Sequence, residues 1–303
     1  MSLSVRSAPR SRSQPARHSL LIIGTLLVSL LLGGCGTVRL AYSNAPSLAF
    51  WWLDGYADFE SDQASIVRAG LQRAHDWHRK EELPLLLKHL SDLQARALEP
   101  TTPEVLCQLA SDLQVRYHTT LLQLVPTVVT VAPSLREAQI KHLERELAKR
   151  RADWQRDYQD GTAAERMERR MQQAVDRTES FYGKLRREQV ELLRAQLIAS
   201  PFDAALQSRE SLRRHQDTLA TLAQIRSGAV PTDQLPTAVS ALVQRSYASP
   251  DAQYQKYLSQ LTQQSCVNFA ALHNSMNAKQ RTKLRATLSE YEQDLRAVAA
   301  TNH

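Results

Sequence analysis

The sequence has few of the residues that interrupt helices, and it lacks the short motifs of common enzymes. Only 9 of its 303 residues are glycine, and aromatic residues make up 6% of the chain. It contains no Gly-x-Ser-x-Gly motif, phosphate-binding glycine loop or dinucleotide fingerprint. The abundant Ala, Leu, Gln, Arg and Glu are good helix formers. We therefore predict an all-α fold, an elongated bundle of amphipathic helices, without enzyme activity and without a cofactor.

The sequence also lacks an apolar run long enough to cross a membrane. The most apolar stretch, Leu20 to Leu32, is shorter than the roughly 20 residues that a spanning helix needs. Four arginines and no acid precede it, and Gly33-Gly34-Cys35 follows it. This order is typical of a cleaved signal peptide. Its end, Leu32-Gly33-Gly34-Cys35, resembles the lipobox of bacterial lipoprotein precursors, which implies cleavage before Cys35 and lipid attachment to its sulfur.

The lipobox resemblance also implies a location and a domain organisation. Gly36 stands where an aspartate usually retains such lipoproteins in the inner membrane, so we expect the outer membrane of a Gram-negative bacterium and a periplasmic orientation. Several acyl chains on Cys35 would attach the protein stably to that membrane. We divide the chain into a signal peptide (1–34), a lipidated tether (35–46) and an all-helical periplasmic domain (47–303).

The balance of charge argues against nucleic acid as a partner. The formal charge is +7, but four of the 38 basic residues and none of the 31 acidic ones lie in residues 1–34. The remaining chain has a charge of +3, with acids and bases interleaved. A phosphate-binding surface needs basic residues concentrated on one face. We therefore expect no nucleic-acid binding.

Two cysteines remain once Cys35 is assigned to the lipid. Cys107 and Cys266 form an even pair in a compartment that permits disulfides, and each lies in an apolar helical context. Buried free thiols would also fit this context, because free cysteine behaves as a small apolar residue. We favour a disulfide, which would connect an early helix to the last part of the fold.

Apolar residues recur at helical spacing along the chain after Cys35. An aromatic segment, Leu48 to Tyr56, is compatible with a helix at the lipid headgroups or with a packed first helix. We favour the packed helix because the segment lacks the Lys and Arg expected of a membrane-surface helix. The following amphipathic stretches are predicted at about Ser61 to Trp77, Glu82 to Leu98, Pro103 to Val125, Ser134 to Tyr158, Thr162 to Ala199, Pro201 to Arg226, Pro236 to Tyr247 and Ala252 to the end.

The best candidate for a metal site is the pair His75 and His78. Residues three apart share a helical face, and Asp76, Glu81 and Glu82 lie nearby. The segment lacks the His-Glu-x-x-His pattern of zinc helices, and no third candidate ligand lies at a spacing typical of a metal site. We therefore interpret the pair as solvated histidines beside the core residue Trp77, and we expect no metal.

Several segments together resemble a proteobacterial lipoprotein family, domain of unknown function 6279. The resemblance rests on the lipobox, on the Trp-Trp-Leu-Asp-Gly-Tyr block within Ala41 to Tyr56, on His75-Asp76-Trp77-His78 with Glu81-Glu82-Leu83-Pro84, and on Gln280-Arg281. It covers most of the chain after Cys35. The resemblance implies a helical envelope protein and no particular activity.

Three further segments are similar to the Leu-Thr-x-x-Gln motif of small periplasmic stress chaperones. They end at Gln139, Gln189 and Gln280, and Arg or Asn replaces the threonine in each. Such chaperones are helical and bind unfolded clients on a concave face. The simpler interpretation, which we favour, is that these segments begin or turn helices and place glutamine on the polar face.

The sequence thus predicts a binding protein whose partners are the membrane, through lipid on Cys35, and envelope proteins or peptides. We expect the binding surface between Ser134 and Leu197, where Met and aromatic side chains combine with many charges. A structural scaffold of an envelope complex is the alternative, and such a scaffold could bury nearly all its apolar seams. The candidate surface residues are Trp154, Met167, Met171 and Tyr182.

Replacing Cys35 by serine tests the lipoprotein prediction. We expect Cys35→Ser to abolish lipidation and to leave an uncleaved precursor, because no other cysteine follows an apolar run of this kind. Membrane fractionation and mass spectrometry of the amino terminus measure both effects. Normal processing and membrane attachment of the variant would refute the prediction.

Overall fold

The computed structural model describes residues 36–300, and Cys35 lies outside this range. No strand occurs among the described residues, so the all-α prediction is confirmed. The described residues also include a π-helical turn (His78–Glu82) and two short 3₁₀ turns (Ala132–Ser134 and Thr232–Gln234). The α-helices are α1 (Thr37–Ser43), α2 (Ala45–Ala57), α3 (Ser61–Trp77), α4 (Leu83–Arg96), α5 (Pro103–Leu122), α6 (Val125–Val131), α7 (Glu137–Tyr158), α8 (Ala163–Tyr182), α9 (Arg187–Ile198), α10 (Ala204–Arg226), α11 (Leu235–Tyr247), α12 (Ala252–Asn274) and α13 (Ala278–Ala300).

Two of the predicted helices are in fact pairs of helices. The stretch Thr162 to Ala199 is divided after Tyr182. There Gly183 adopts a φ of 73°, which residues other than glycine rarely adopt. The stretch from Ala252 is divided between Asn274 and Ala278. Helical periodicity continues across both turns, which is why the apolar pattern alone did not separate these helices.

The helices pack around two main groups of buried side chains. In the first core, α2, α3, α6, α10 and α11 contribute Phe50, Val67, Val131, Ile225 and Val239, among others. Helices α8, α9 and α12 form the second core. It contains Met171, Leu185, Leu193, Leu272 and Met276.

The expected tether, residues 35–46, is helical and packed over its described part. Helix α1 packs against α13, and the backbone N–H of Gly36 donates to Asp294 Oδ2 at 3.2 Å. The Tyr42 hydroxyl lies 2.8 Å from Nδ1 of His78. Helix α2 then packs against α3 and α7. Residues 36–46 therefore belong to the helical bundle and not to a separate tether, because Gly36 and Tyr42 have partners far away in the sequence that the sequence could not identify.

Four helices begin with a glutamine at their third position, and these glutamines form two reciprocal pairs. In the first pair, Gln63 and Gln139 each donate their side-chain amide to the carbonyl oxygen of the other, at 3.3 and 2.7 Å. Gln189 and Gln280 do the same at 3.0 and 2.9 Å. All four side chains are buried. Each pair holds the amino-terminal ends of two helices against each other.

Each glutamine also completes the start of its own helix. The side-chain oxygens of Gln63, Gln139, Gln189 and Gln280 accept from the backbone N–H three residues earlier, at 2.8–3.1 Å. These N–H groups would otherwise lack a partner at a helix start. The helix-start interpretation of the three Gln segments is therefore correct, but their expected place on the polar face is wrong. The fourth, Phe59 to Gln63, was missed although it has the same apolar-x-x-x-Gln spacing.

A disulfide bond joins Cys107 of α5 to Cys266 of α12, and the two Cα atoms lie 5.5 Å apart. The sequence separation is 159 residues. Closing so long a loop restricts the unfolded chain, which in the chain-entropy account is worth about 5 kcal/mol before any strain is subtracted. Helix α5 has no buried side chain of its own and packs mainly on α12. The bond therefore adds a covalent link between α5 and α12.

The second glutamine pair offers a test of its contribution to stability. We expect Gln189→Leu to lower the free energy of unfolding by about 1–3 kcal/mol, because the buried Gln280 loses its two bonds to Gln189 and the backbone N–H of Arg186 loses its acceptor. In a double-mutant cycle, Gln280→Leu should add less than its separate cost, since the first substitution already breaks the pair. Urea unfolding measures both values. Exposed Gln293→Leu on α13 is the control, and a cost for Gln189→Leu no larger than for this control would contradict the expectation.

The disulfide predicts a defined pattern of thiol reactivity in the mature protein. We expect neither Cys107 nor Cys266 to react with iodoacetamide in denatured, non-reduced protein, and both to react after reduction. The double substitution by serine should cost on the order of 2–5 kcal/mol of stability. Peptide mass mapping and thermal melts provide the measurements. Two freely alkylated thiols before reduction would rule out the bond.

Candidate functional groove

Two adjoining cavities lie where α7 ends, α8 passes and α10 begins. The first has a volume of about 500 Å³ and is lined by α8, α9, α12 and residues 200–202. The second, about 750 Å³, lies between the start of α8 and the start of α10. Both are open to solvent, and they share Tyr158, Arg170, Ser200 and Phe202 in their walls. We call the two cavities together the α8 groove.

Apolar and aromatic side chains form most of the wall of the α8 groove. Leu193 and Leu272 of the second core lie at its floor, and Phe269 stands beside it with 59% of its surface exposed. The rings of Tyr158 and Phe202 are 5.9 Å apart between centroids. Together with the apolar floor, the exposed ring of Phe269 gives the groove an apolar surface that a bound side chain could contact.

The charges around the α8 groove are mainly positive. Arg166, Arg170 and Arg177 lie in the walls of the two cavities, and Asp203 is the one acidic residue there. That carboxylate already accepts two backbone N–H groups at the start of α10. Within residues 36–300 no salt bridge involves Arg170 or Arg177. The groove therefore presents cationic groups that are not neutralised by neighbouring carboxylates.

Arg170 is held in the wall by an aromatic ring. Its guanidinium carbon lies 4.7 Å from the ring centre of Phe202, within the range of a cation–π contact. Burial lowers the pKa of Arg170, although an arginine remains charged in proteins. A charge that is partly removed from water and lacks a counter-ion is well prepared to bind an anion.

Tyr182 has a structural role at the base of the groove. His273 donates from Nε2 to the carbonyl oxygen of Glu99 at 2.8 Å, so its Nδ1 is the acceptor for the Tyr182 hydroxyl at 2.9 Å. Burial raises the pKa of Tyr182 to about 12 and lowers that of His273. Both groups therefore stay neutral near pH 7. The Tyr182 ring lines the groove, while its hydroxyl connects α8 to α12.

The structure separates the four residues that the sequence proposed as a binding surface. Met167 is half-buried in the wall of the groove, and Tyr182 lies in the wall as described. Trp154 is half-buried and stacks on Tyr158, with 4.9 Å between ring centroids. Met171 is only 3% exposed and belongs to the second core. Its assignment to a binding surface is therefore wrong, because α8 turns this residue towards α9 and α12.

The histidines considered as metal ligands have other partners. His75 donates from Nε2 to the carbonyl oxygen of Tyr42 at 3.1 Å, and His78 meets the Tyr42 hydroxyl. Both are half-buried, not solvated as expected, and burial lowers the pKa of each. Among the described residues, no group of three or more His, Cys, Asp or Glu side chains is placed to hold a metal ion. The pair connects α1 to the end of α3.

A buried cluster of charges joins α10 to the end of α11. Glu210 accepts from Arg213, Arg214 and Ser249 at 2.7–2.9 Å, and Asp217 accepts from Arg245 at 2.8 and 2.9 Å. Burial acts to raise the pKa of Glu210, but these hydrogen bonds outweigh it and keep that pKa below the ordinary value. A carboxylate so fully paired is not available as a base. We therefore interpret the cluster as a structural link between α10 and the end of α11.

Comparison with known proteins identifies a family. None of the described helices is long and apolar enough to cross a membrane. No curated protein and no solved structure matches the chain. A family profile, described as a family of unknown function (DUF6279), matches residues 55–230, from the end of α2 to just beyond α10. This range exceeds half of the sequence and includes Gln63, Gln139 and Gln189. The chain therefore belongs to the family of unknown function DUF6279.

Proposed function

We propose that the protein is a lipid-anchored, non-enzymatic lipoprotein of the outer membrane that binds apolar protein or peptide segments carrying a negative charge. The α8 groove is the proposed binding site. The observation that carries this proposal is the combination of an apolar floor, the exposed Phe269 and two arginines without salt bridges. An unfolded envelope protein exposes both apolar side chains and carboxylates, so a chaperone-like role fits such a site.

Each part of the groove has a separate task in this mechanism. The aromatic wall would bury apolar side chains of the bound segment, and burial of apolar area supplies most of the affinity. Arg170 and Arg177 would pair with a carboxylate, which fixes the direction and position of the segment. The lipid on Cys35 would keep the groove close to proteins at the membrane.

Peptide binding tests the apolar part of the proposal. The probe is a fluorescein-labelled peptide rich in leucine and phenylalanine with a free C-terminal carboxylate, measured by fluorescence polarisation. We expect Phe269→Ser to weaken binding by roughly tenfold, the equivalent of about 1.4 kcal/mol, and to leave the melting temperature nearly unchanged because Phe269 is exposed. Tyr117→Ser on α5, a residue with 61% exposure outside the groove, is the matched control.

Charge and folding controls complete the test. The peptide with a C-terminal amide should bind more weakly than the carboxylate form, and Arg177→Gln should reduce this difference, whereas exposed Arg285→Gln on α13 should not. Met171→Glu should instead lower the melting temperature, since an unpaired carboxylate would enter the second core. Unchanged binding by the Phe269 and Arg177 variants would refute the groove and favour the scaffold function.

A further inference from the structure

The outward side of α1 and α2 carries a row of large apolar side chains. Leu40 is 63% exposed, Leu48 53%, Trp51 76% and Trp52 54%. Asn44 donates its backbone N–H to Leu40, and Leu48 donates to Asn44, so helical hydrogen bonding continues across the junction of the two helices. Spacings of eight, three and four residues place these side chains along one side of the helices. We call this row the N-terminal face.

The opposite side of the same helices is firmly packed. Phe50 is buried in the first core, and the guanidinium carbon of Arg68 lies 3.4 Å from the centre of its ring. Helix α1 is held on α13, and the Tyr42 hydroxyl meets His78. The position of the N-terminal face is therefore set by the fold, and its tryptophans point outward from a fixed support.

The N-terminal face has almost no charge. Only Arg39 and Asp54 are charged between Gly36 and Ala57, and Asp54 uses its carboxylate to accept the backbone N–H of Phe59. The other exposed residues of α2 include Ser47 and Gly55. A surface of tryptophan, leucine and small residues suits the boundary between lipid headgroups and acyl chains, where tryptophan is enriched. A charged protein surface would gain little binding energy from contact with this face.

The position of the face in the chain identifies its partner. Helix α1 begins at Thr37, two residues after Cys35. At about 1.5 Å per residue, Trp51 and Trp52 lie roughly 22 Å along the helices from Thr37, so helices lying flat on a bilayer would bring them to its surface. We propose that the N-terminal face docks on the lipid surface next to the acyl chains of Cys35. This inference rests on the lipid anchor of the proposed function.

Lipid docking would give the exposed leucines and tryptophans of the N-terminal face a partner, which the packing of α1 and α2 alone does not. A single cysteine fixes only one point of the protein on the membrane. A second, apolar contact would fix the orientation of the whole bundle, because α1 and α2 are held to α13, α3 and α7. The lack of Lys and Arg favoured a packed helix in the sequence, and the structure shows that α2 is packed on one side and exposed on the other. Docking of the exposed side would need no basic residues, and its attraction to lipid would be apolar and only weakly sensitive to salt.

Tryptophan quenching by brominated lipid tests the inference. The lipidated protein is reconstituted in vesicles of phosphatidylethanolamine and phosphatidylglycerol that contain a dibrominated phosphatidylcholine. We expect strong quenching in the wild type and several-fold weaker quenching in Trp51→Phe/Trp52→Phe, which leaves only Trp77 and Trp154 as emitters. Raising the salt concentration should change the wild-type signal little.

A charged residue on the N-terminal face should detach the face from the membrane and leave both fluorescent reporters, Trp51 and Trp52, in place. Leu48→Glu should reduce quenching several-fold, and Ile198→Glu, which alters a still more exposed apolar residue of α9, should not. Circular dichroism checks that each variant is folded. Weak quenching of wild type that is firmly bound to the vesicles would overturn the inference and leave the lipid anchor standing. A Cys35 peptide without lipid, identified by mass spectrometry, would refute the anchor and the inference together.

Discussion

The fold depends on how helix starts are satisfied inside the protein. Backbone N–H groups at the start of a helix lack helical partners, and burying them without another acceptor costs free energy. Here each glutamine accepts an N–H group at the start of its own helix and donates its amide to oxygen atoms near the start of another helix. Gln63 and Gln139 each accept from their own helix start and donate to the other, and each also donates to backbone near the start of the partner helix, at Ser134 and Asp58. An apolar residue could not replace either amide.

The two glutamine pairs give the molecule a repeated plan. In the first, the turn between α2 and α3 meets the turn between α6 and α7; in the second, the α8–α9 turn meets the α12–α13 turn. Each meeting point lies beside one of the two cores, since Leu135 belongs to the first and Leu185 and Met276 to the second. The α8 groove opens onto the second core. Its floor is therefore held by the Gln189–Gln280 pair and by the Tyr182–His273 hydrogen bond.

Local patterns predicted the helices well and their environment less well. The limits of α3 and the start of α5 at Pro103 follow from spacing and capping residues alone. The burial of Gln139 and Gln189 does not, because their partners lie 76 and 91 residues away in the sequence. Met171 was misplaced for a related reason. A periodic stripe shows that a helix has an apolar side, but it does not show which part of that side a neighbouring helix covers.

The two exposed apolar surfaces differ in charge, and this difference separates their proposed partners. The α8 groove places Arg170 and Arg177 beside aromatic rings, whereas the N-terminal face has tryptophan and leucine with little charge. The first combination favours a segment with carboxylates, and the second favours lipid. They are also built on different cores, since Phe50 of α2 belongs to the first and Leu193 and Leu272 to the second. Because α13 packs against both α1 and α8, a bilayer that fixes α1 and α2 would also fix the direction in which the groove faces.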